Sequence, residues 1–359
     1  MMSKMKASVF YEPFKMQMEE VDIPEIAANE VLVKVKAVGI CGSDLEYYYG
    51  GSPLTTPDGK GPLILGHETA GIVEDPGEIG ASMGLKKGDE VVVNPVAPCF
   101  ACKPCLHGHY NECDNVKVYG VGENGAFAEY VKAAATNVYK IPEGMSLEMG
   151  ALAEPMACAS YGIKKLDIQQ GDTAIVFGCG TIGLIDVQLA HMNGAGQVIA
   201  VDVVDYNLEK ALEMGALHAF NTLDQDSKYY TADLAQSIRD INNGRLADRA
   251  ILPTGAMSAW QQALEVTAPC STIVYFGLPS KADAVLQVPA LDAIYNDRNI
   301  KFSWLAPLVW DNVFTALANG RVKLDSLITH RFALDDIEEG IKFMRESKEK
   351  KIKGIMVID

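Results

Sequence analysis

Thr173-Ala174-Ile175-Val176-Phe177-Gly178-Cys179-Gly180-Thr181-Ile182-Gly183 is the stretch that decides the fold. Its first five residues make a short apolar run, which reads as a buried strand. Gly178, Gly180 and Gly183 follow at GxGxxG spacing, and a helical pattern then runs from Ile182 to Met192. The spacing alone is a weak signal. Between a strand and a helix it acquires a mechanism. Gly178 allows the tight turn, Gly180 lets backbone approach a pyrophosphate at the positive end of the helix, and Gly183 permits close helix–strand packing. Thr181 and Ile182 lie in the same first turn. The next strand, Val198-Ile199-Ala200-Val201, ends at Asp202, 19 residues after Gly183. An acid there accepts hydrogen bonds from the adenosine ribose and repels a 2′-phosphate. No Lys or Arg occurs from 203 to 209 to compensate, so NAD is expected over NADP. Asn207, in the following helical stretch, joins Gly178, Gly180, Thr181, Ile182, Gly183 and Asp202 as a candidate cofactor-binding residue.

Working outward, Asn207 to Met214 reads as a helix, Arg249-Ala250-Ile251-Leu252 as a strand, Ser258 to Val266 as a helix and Thr272 to Phe276 as a strand. Strands alternating with helices imply βαβ units and a doubly wound parallel sheet of the α/β class. Residues 5 to 150 read differently. Val31 to Lys36 alternates apolar and polar, and Gly71-Ile72-Val73, Glu90 to Val93, Ala128 to Val131 and Val138 to Ile141 are further short strands punctuated by turn signals. That pattern suggests a β-rich, barrel-like domain. Near the end, Asp335 to Glu346 reads as an amphipathic helix, and Gly354 to Ile358 as a strand returning to the first domain. The expected boundaries are 1–156 for the β-rich domain, 157–297 for the dinucleotide-binding domain and 298–359 for the return segment.

Cys99, Cys102, Cys105 and Cys113 form CxxCxxCx7C, a strong metal signal. Short gaps let successive sulfurs face one point, and four thiolates complete the tetrahedron that Zn²⁺ prefers. No position is left for a substrate, so this lobe reads as structural, with His107 and His109 on its surface. A second set is smaller: Cys41 in Gly39-Ile40-Cys41-Gly42-Ser43-Asp44, and His67 and Glu68 in Gly66-His67-Glu68. All three are competent zinc ligands. Each also suits a plain role, as buried thiol, core histidine or surface carboxylate.

The formal net charge of −16 argues against nucleic acid and anionic membrane as partners. No stretch of about 20 residues is apolar and uncharged, and no signal peptide is evident at the start. A reduced, cytoplasmic setting is therefore expected. Of the 8 Cys, the three outside both clusters, Cys158, Cys179 and Cys270, read as small buried hydrophobes.

The order Gly-Ile-Cys-Gly-Ser-Asp at 39–44, Gly-His-Glu at 66–68, four clustered Cys, Ala-Glu-Pro at 153–155 and the glycine fingerprint resembles the zinc-dependent medium-chain dehydrogenases/reductases across essentially the whole chain. Glu154, where classical alcohol dehydrogenases place a second Cys, is most similar to the polyol (sorbitol-type) branch. The resemblance implies a GroES-like catalytic domain, a Rossmann domain, two zinc ions per chain and NAD-dependent oxidation of a secondary alcohol, such as a sugar alcohol or cyclitol, to a ketone. It implies a catalytic zinc on Cys41 and His67, with Glu68 and Glu154 as direct or water-mediated ligands. One thiolate and two carboxylates around a divalent cation would total −1, so one carboxylate is expected outside the first coordination shell for part of the cycle. Ser43 matches the family's relay hydroxyl. The relay histidine is replaced by Glu46, as terminal base or as plain surface. Tyr47 matches a substrate-contacting tyrosine, and Gly277 and Leu278 match the segment flanking the nicotinamide. Asn299 to Leu305 lacks the arginine common in polyol enzymes, which leaves room for a bulkier or cyclic alcohol stacked on Trp304. A homodimer or homotetramer is implied, paired through edge strands within 285 to 302. L-threonine 3-dehydrogenase and 2,3-butanediol dehydrogenase are alternatives of the same superfamily. A metal-free quinone or enoyl reductase, or an inactive binding homologue, is the alternative of another class.

Overall fold

The structure, a computed structural model, describes residues 3–279 and 284–359. The chain forms two units: Met1–Pro155 with Trp310–Gly320 and Leu324–Asp359, and Met156–Val309 with Arg321–Lys323.

The first unit is built on the strand Glu30–Gly39, whose alternate residues Val31, Val33 and Val35 are buried as its period-two pattern requires. It pairs antiparallel with Glu68–Asp75, Lys353–Val357 and Tyr130–Ala134. The sheet runs in the order Val138–Lys140, Glu90–Val93, Glu68–Asp75, Glu30–Gly39, Lys353–Val357, Ile328–Ala333. A second sheet orders Lys15–Asp22, Lys4–Glu12 and Leu63–Ile64. Phe10, Leu65, Phe127 and Met356 fill the core with the valines. The returning strand thus lies against the chain's own central strand, as read from the sequence. Its register aligns Ile355 with Gly39, and Gly39 with Glu68.

In the second unit six parallel strands run in the order His218–Asn221, Gln197–Asp202, Thr173–Phe177, Ala247–Leu252, Thr267–Tyr275, Asn299–Phe302. The order reverses between Thr173–Phe177 and Ala247–Leu252, the switch point where doubly wound sheets bind their ligands. Asn299–Phe302 is the sixth strand of this sheet, paired in parallel with Thr267–Tyr275. The expected boundary at 297/298 therefore falls too early; sheet pairing carries this unit through Phe302, and the unit runs on to Val309. Cys270 departs from its expected burial. The ladder steps from Thr267 opposite Ala247 to Thr272 opposite Arg249, and the extra residues push Cys270 outward at φ +61°. Cys158 and Cys179 are buried as read.

The helix Thr181–Met192 is buried from Gly183 to Ala190, and this span includes Asp186. Asp186 is 0% exposed, and neither carboxylate oxygen has a hydrogen-bond partner. Burial pushes its carboxyl well above the ordinary range. The folded chain therefore keeps a proton that the unfolded chain loses above the ordinary carboxylate pKa, and stability falls as pH rises through that interval. Asp186→Ala should flatten this fall and raise the unfolding free energy from urea titration at neutral pH by on the order of 1–3 kcal/mol. An unchanged pH dependence of the midpoint would refute this reading.

Candidate active site, cysteine lobe and cofactor loop

Cys41 follows the central strand directly and caps the short helix Gly42–Tyr48. The helix start turns Asp44 back, so that its Oδ2 accepts the Cys41 backbone N–H at 2.9 Å. His67 and Glu68 open the neighbouring strand Glu68–Asp75. Ligand atoms of Cys41, His67 and Glu68 lie within 4.8 Å of one another. Asp44 Oδ1 stands 3.6 Å from His67 Nδ1. Asp44 Oδ1 and His67 Nδ1 are buried without hydrogen-bond partners, and Glu68 Oε2 meets only the Lys353 ammonium. Burial alone would lower the His67 pKa, but the charges of Asp44 and Cys41 carry it well above its usual value. A pocket of thiol, imidazole and carboxylates with orphaned polar atoms and excess negative charge fits a divalent cation.

Lys353 joins this set from the returning strand. Its ammonium lies 2.7 Å from Glu68 Oε1 and 2.5 Å from Oε2, and donates to the Ile40 carbonyl at 2.9 Å. Burial pulls its pKa down, but Glu68 and then Cys41 outweigh burial and raise it, so it stays charged. Neither Asp44 nor Lys353 was singled out from sequence. The i, i+3 spacing of Cys41 and Asp44 was the available clue for the first. No local signal marks Lys353, 285 residues from its partner.

The other expected catalytic residues sit as follows. Ser43 is half-buried on the first turn of Gly42–Tyr48. The Tyr47 phenol is pushed up to about 12, first by burial, and it feels His67, Asp44 and Cys41. It therefore remains a protonated donor beside the set. Glu154 is buried at the start of the helix Ala153–Leu166 and is not part of the close cluster. Glu46 does not join the cluster either; its Oε1 accepts from Arg345 at 3.0 Å.

In the cysteine lobe the sulfurs of Cys99, Cys102, Cys105 and Cys113 lie within 4.8 Å of one another. A tetrahedron with metal–sulfur bonds of about 2.3 Å has edges of roughly 3.8 Å. The Cys102–Cys113 sulfur separation is 3.8 Å. Backbone N–H groups of Ala101 and Cys102 bring the Cys99 thiol down to about 6, while burial and the neighbouring thiols push Cys105 up to about 12. One thiolate is thus prepared in advance, and the last forms when a cation displaces its proton. His107 and His109 are exposed, His107 against the Lys103 carbonyl.

At the cofactor loop Gly178 has φ +89°, and a Cβ on Gly183 would lie 1.9 Å from the Gly178 carbonyl oxygen. Nothing lies within 4 Å of a Cβ built on Gly180, which leaves room for a phosphate. Asp202 Oδ2 accepts from the Cys179 N–H at 2.6 Å and from Asn207 Nδ2 at 3.3 Å; Oδ1 takes the Val203 and Val204 N–H groups. Thr181 and Ile182 open the helix at this rim. Gly277 packs against Thr254, and Gly255 against Leu278, where two strands end. Thr254 and Gly255 complete this rim and escaped the sequence reading, because only the packed loops bring them there.

Residues 27–143 match the alcohol dehydrogenase GroES-like domain, and residues 181–319 match the zinc-binding dehydrogenase family. The chain is 34% identical to sorbitol dehydrogenase of Bacillus subtilis (strain 168) over 95% of each chain. It is 32% identical to L-threonine 3-dehydrogenase of Bacillus licheniformis over 92% of each. A solved Escherichia coli CFT073 alcohol dehydrogenase complexed with NADH superimposes with a TM-score of 0.88 at 30% identity, covering 99% of this chain and 100% of that one. The chain belongs to the zinc-binding alcohol dehydrogenase family of GroES-like plus Rossmann-type architecture. It is a dehydrogenase of alcohol substrates, and the cofactors of that chemistry are zinc and a nicotinamide dinucleotide.

Purified chain should carry two zinc ions. Cys41→Ser should lose one and abolish turnover, and Cys113→Ser should lose the other and lower the melting temperature. Elemental analysis showing equal zinc in Cys41→Ser and wild type would remove Cys41 from the ligand set.

Proposed function

We propose that this enzyme oxidises a secondary alcohol of a polyhydroxy compound, a sugar alcohol or cyclitol, to a ketone with NAD. The observation that carries it is the Cys41–His67–Glu68 cluster in a chain whose fingerprint loop is followed by a strand ending on Asp202. Bound zinc supplies Lewis acidity toward the hydroxyl, and NAD supplies the hydride acceptor. Cys41 and His67 hold the metal, with Glu68 and Glu154 as the carboxylates nearest to it in role. Asp44 orients His67 as a carboxylate behind a ligating imidazole. Ser43, half-buried on the first turn of Gly42–Tyr48, would take up the hydroxyl proton, and bound NAD would supply a ribose hydroxyl to receive it. Tyr47, protonated at neutral pH, donates a hydrogen bond to a substrate oxygen. Glu46 serves as partner of Arg345, tying Gly42–Tyr48 to the helix Ile337–Glu346, and water completes the relay.

Asp202 supports NAD over NADP. The residues after it, Val203 and Val204, are exposed and carry no charge for a 2′-phosphate. Leu278 and Gly277 flank the nicotinamide side in this reading. Arg298 is held by Asp292 and Thr267, and no arginine follows it from Asn299 to Leu305. Trp304, 46% exposed, suits the apolar face of a cyclic polyol. The threonine dehydrogenase likeness keeps a hydroxy amino acid as the second reading. A panel of polyols, cyclitols, sugar phosphates, threonine and diols should give NADH absorbance with a polyol or cyclitol, and at least tenfold less turnover with NADP. Turnover confined to threonine, or to NADP, would overturn the respective assignment.

The working unit in this proposal is a homo-oligomer, placed in the cytoplasm because none of the 8 cysteines is paired in a disulfide. Asn299–Phe302 is an edge strand, and Leu291, Ile294, Tyr295 and Phe302 beside it are exposed. A second copy paired across a two-fold would cover both. Sedimentation should give a dimer or tetramer, and Ile294→Asp should shift it toward monomer; a monomeric wild type would exclude this.

A further inference from the structure

Two carboxylates flank the turn that follows the second strand of the dinucleotide unit. Asp202 ends the strand Gln197–Asp202, and Asp205 opens the helix Asp205–Glu213. Between them, the Val203 and Val204 N–H groups are both taken by Asp202 Oδ1. Asp205 is fixed from the neighbouring strand. Asn221 pairs in register with Asp202 and is 0% exposed. Its Nδ2 donates to Asp205 Oδ1 at 2.9 Å, and its Oδ1 accepts the Leu223 and Asp224 N–H groups. The loop 222–231 folds back on Asn221, whose N–H donates to the Tyr229 carbonyl and whose carbonyl accepts the Thr231 N–H, each at 2.9 Å. That fold brings in Ser227, whose hydroxyl donates to the same Asp205 oxygen at 2.5 Å. The Ser227 hydrogen bond outweighs burial and holds the Asp205 carboxyl below its usual range, so it is ionised at neutral pH. Lys228, the cation that Asp205 feels, is engaged by Glu209 at 3.1 Å.

A helix N-terminus ordinarily attracts a phosphate, through its dipole and its N–H groups. Here the charge of Asp205 sits on that end and offsets the dipole, and two N–H groups of the turn are spent on Asp202. We propose that Asp205 is a second specificity-determining residue for the cofactor: held by Asn221 and Ser227, it sets a fixed negative charge against the 2′-phosphate of NADP, in addition to that of Asp202. The proposal rests on the reading that Asp202 meets the adenosine ribose of NAD. Replacing Asp202 removes a ribose partner as well as a charge, so it weakens NAD. Asp205 acts by charge alone, and removing that charge should favour NADP at no cost to NAD. A merely structural acid at a helix start would behave otherwise. Its loss would lower stability and leave the ratio of the two affinities where it was.

The test is a cycle of Asp205→Asn, Asp202→Ala and the double variant in the full-length enzyme. Dissociation constants of NADH and NADPH are read from their fluorescence, without alcohol substrate, so the result does not depend on turnover. Asn keeps the size of Asp and an oxygen for Asn221 and Ser227, and removes only the charge. Asp205→Asn should tighten NADPH by on the order of 10-fold and leave NADH within about twofold. In the Asp202→Ala background the same change should again tighten NADPH by on the order of 10-fold. Added salt should tighten NADPH relative to NADH in wild type, and less so in Asp205→Asn, because part of the repulsion it screens is gone. An unchanged ratio of the two affinities in Asp205→Asn would overturn the proposal, whatever happens to the melting temperature. So would the same salt response of that ratio in Asp205→Asn and wild type. Asp205→Ser, which also suits a helix start, takes the place of the Asn variant should that one fail to fold, and the same ratio decides. Wild-type enzyme that binds NADPH as tightly as NADH would instead defeat the NAD reading on which the proposal stands.

Discussion

The register between Glu68, Gly39 and Ile355 is the constraint on which the Cys41–His67–Glu68 cluster depends. A one-residue slip in either ladder would send the Glu68 or Lys353 side chain to the opposite face of the sheet. The central strand Glu30–Gly39 is held by its buried valines, and that burial sets the register. The strand then delivers Cys41 at its exit, with Glu68 on one flank and Lys353 on the other. Burying an ion pair is a poor way to gain stability, because desolvation offsets the attraction. Its retention here, against a cluster of zinc-competent ligands, fits a pair kept for placement and charge.

The two candidate metal sites use two solutions to one problem. In the cysteine lobe the ligands come from a single loop, and backbone N–H groups around Cys99 and Cys113 offset part of the thiolate charge before any cation arrives. Around Cys41 the candidate ligands come from separate segments, with Asp44 beside His67 and Lys353 paired with Glu68. A loop that closes on its own metal needs little support from the fold. An open site needs rigid strands behind each ligand, since a reacting group must be held in place while one position exchanges.

The dinucleotide unit shows the same economy. Three glycines bring turn, backbone and helix together, and Asp202 binds the loop and the following turn through four donors before it meets a ribose. Asp186, buried in the same helix without a partner, runs against this pattern; it weakens the unit as pH rises and has no counterpart in the loop chemistry.

Much of this was legible in the chain. The parallel sheet, its glycine turn, Asp202 and the four-cysteine lobe are local patterns, each within a span where spacing dictates geometry. The strand near the end was readable as one that returns. Sheet membership was harder: Asn299–Phe302 is a short run whose pairing with Thr267–Tyr275 is set by the neighbouring strand, and Cys270 looked apolar until a ladder irregularity pushed it out. Glu46 and Arg345 meet 299 residues apart, a distance over which no pattern reaches. What the sequence by itself determined was which groups could bind zinc and a dinucleotide, because those signals are written in local spacing. Which carboxylate lies against Cys41 and His67, and which cation restrains it, only the tertiary structure decided. The reason is that contacts across strands follow from the packing of the whole sheet.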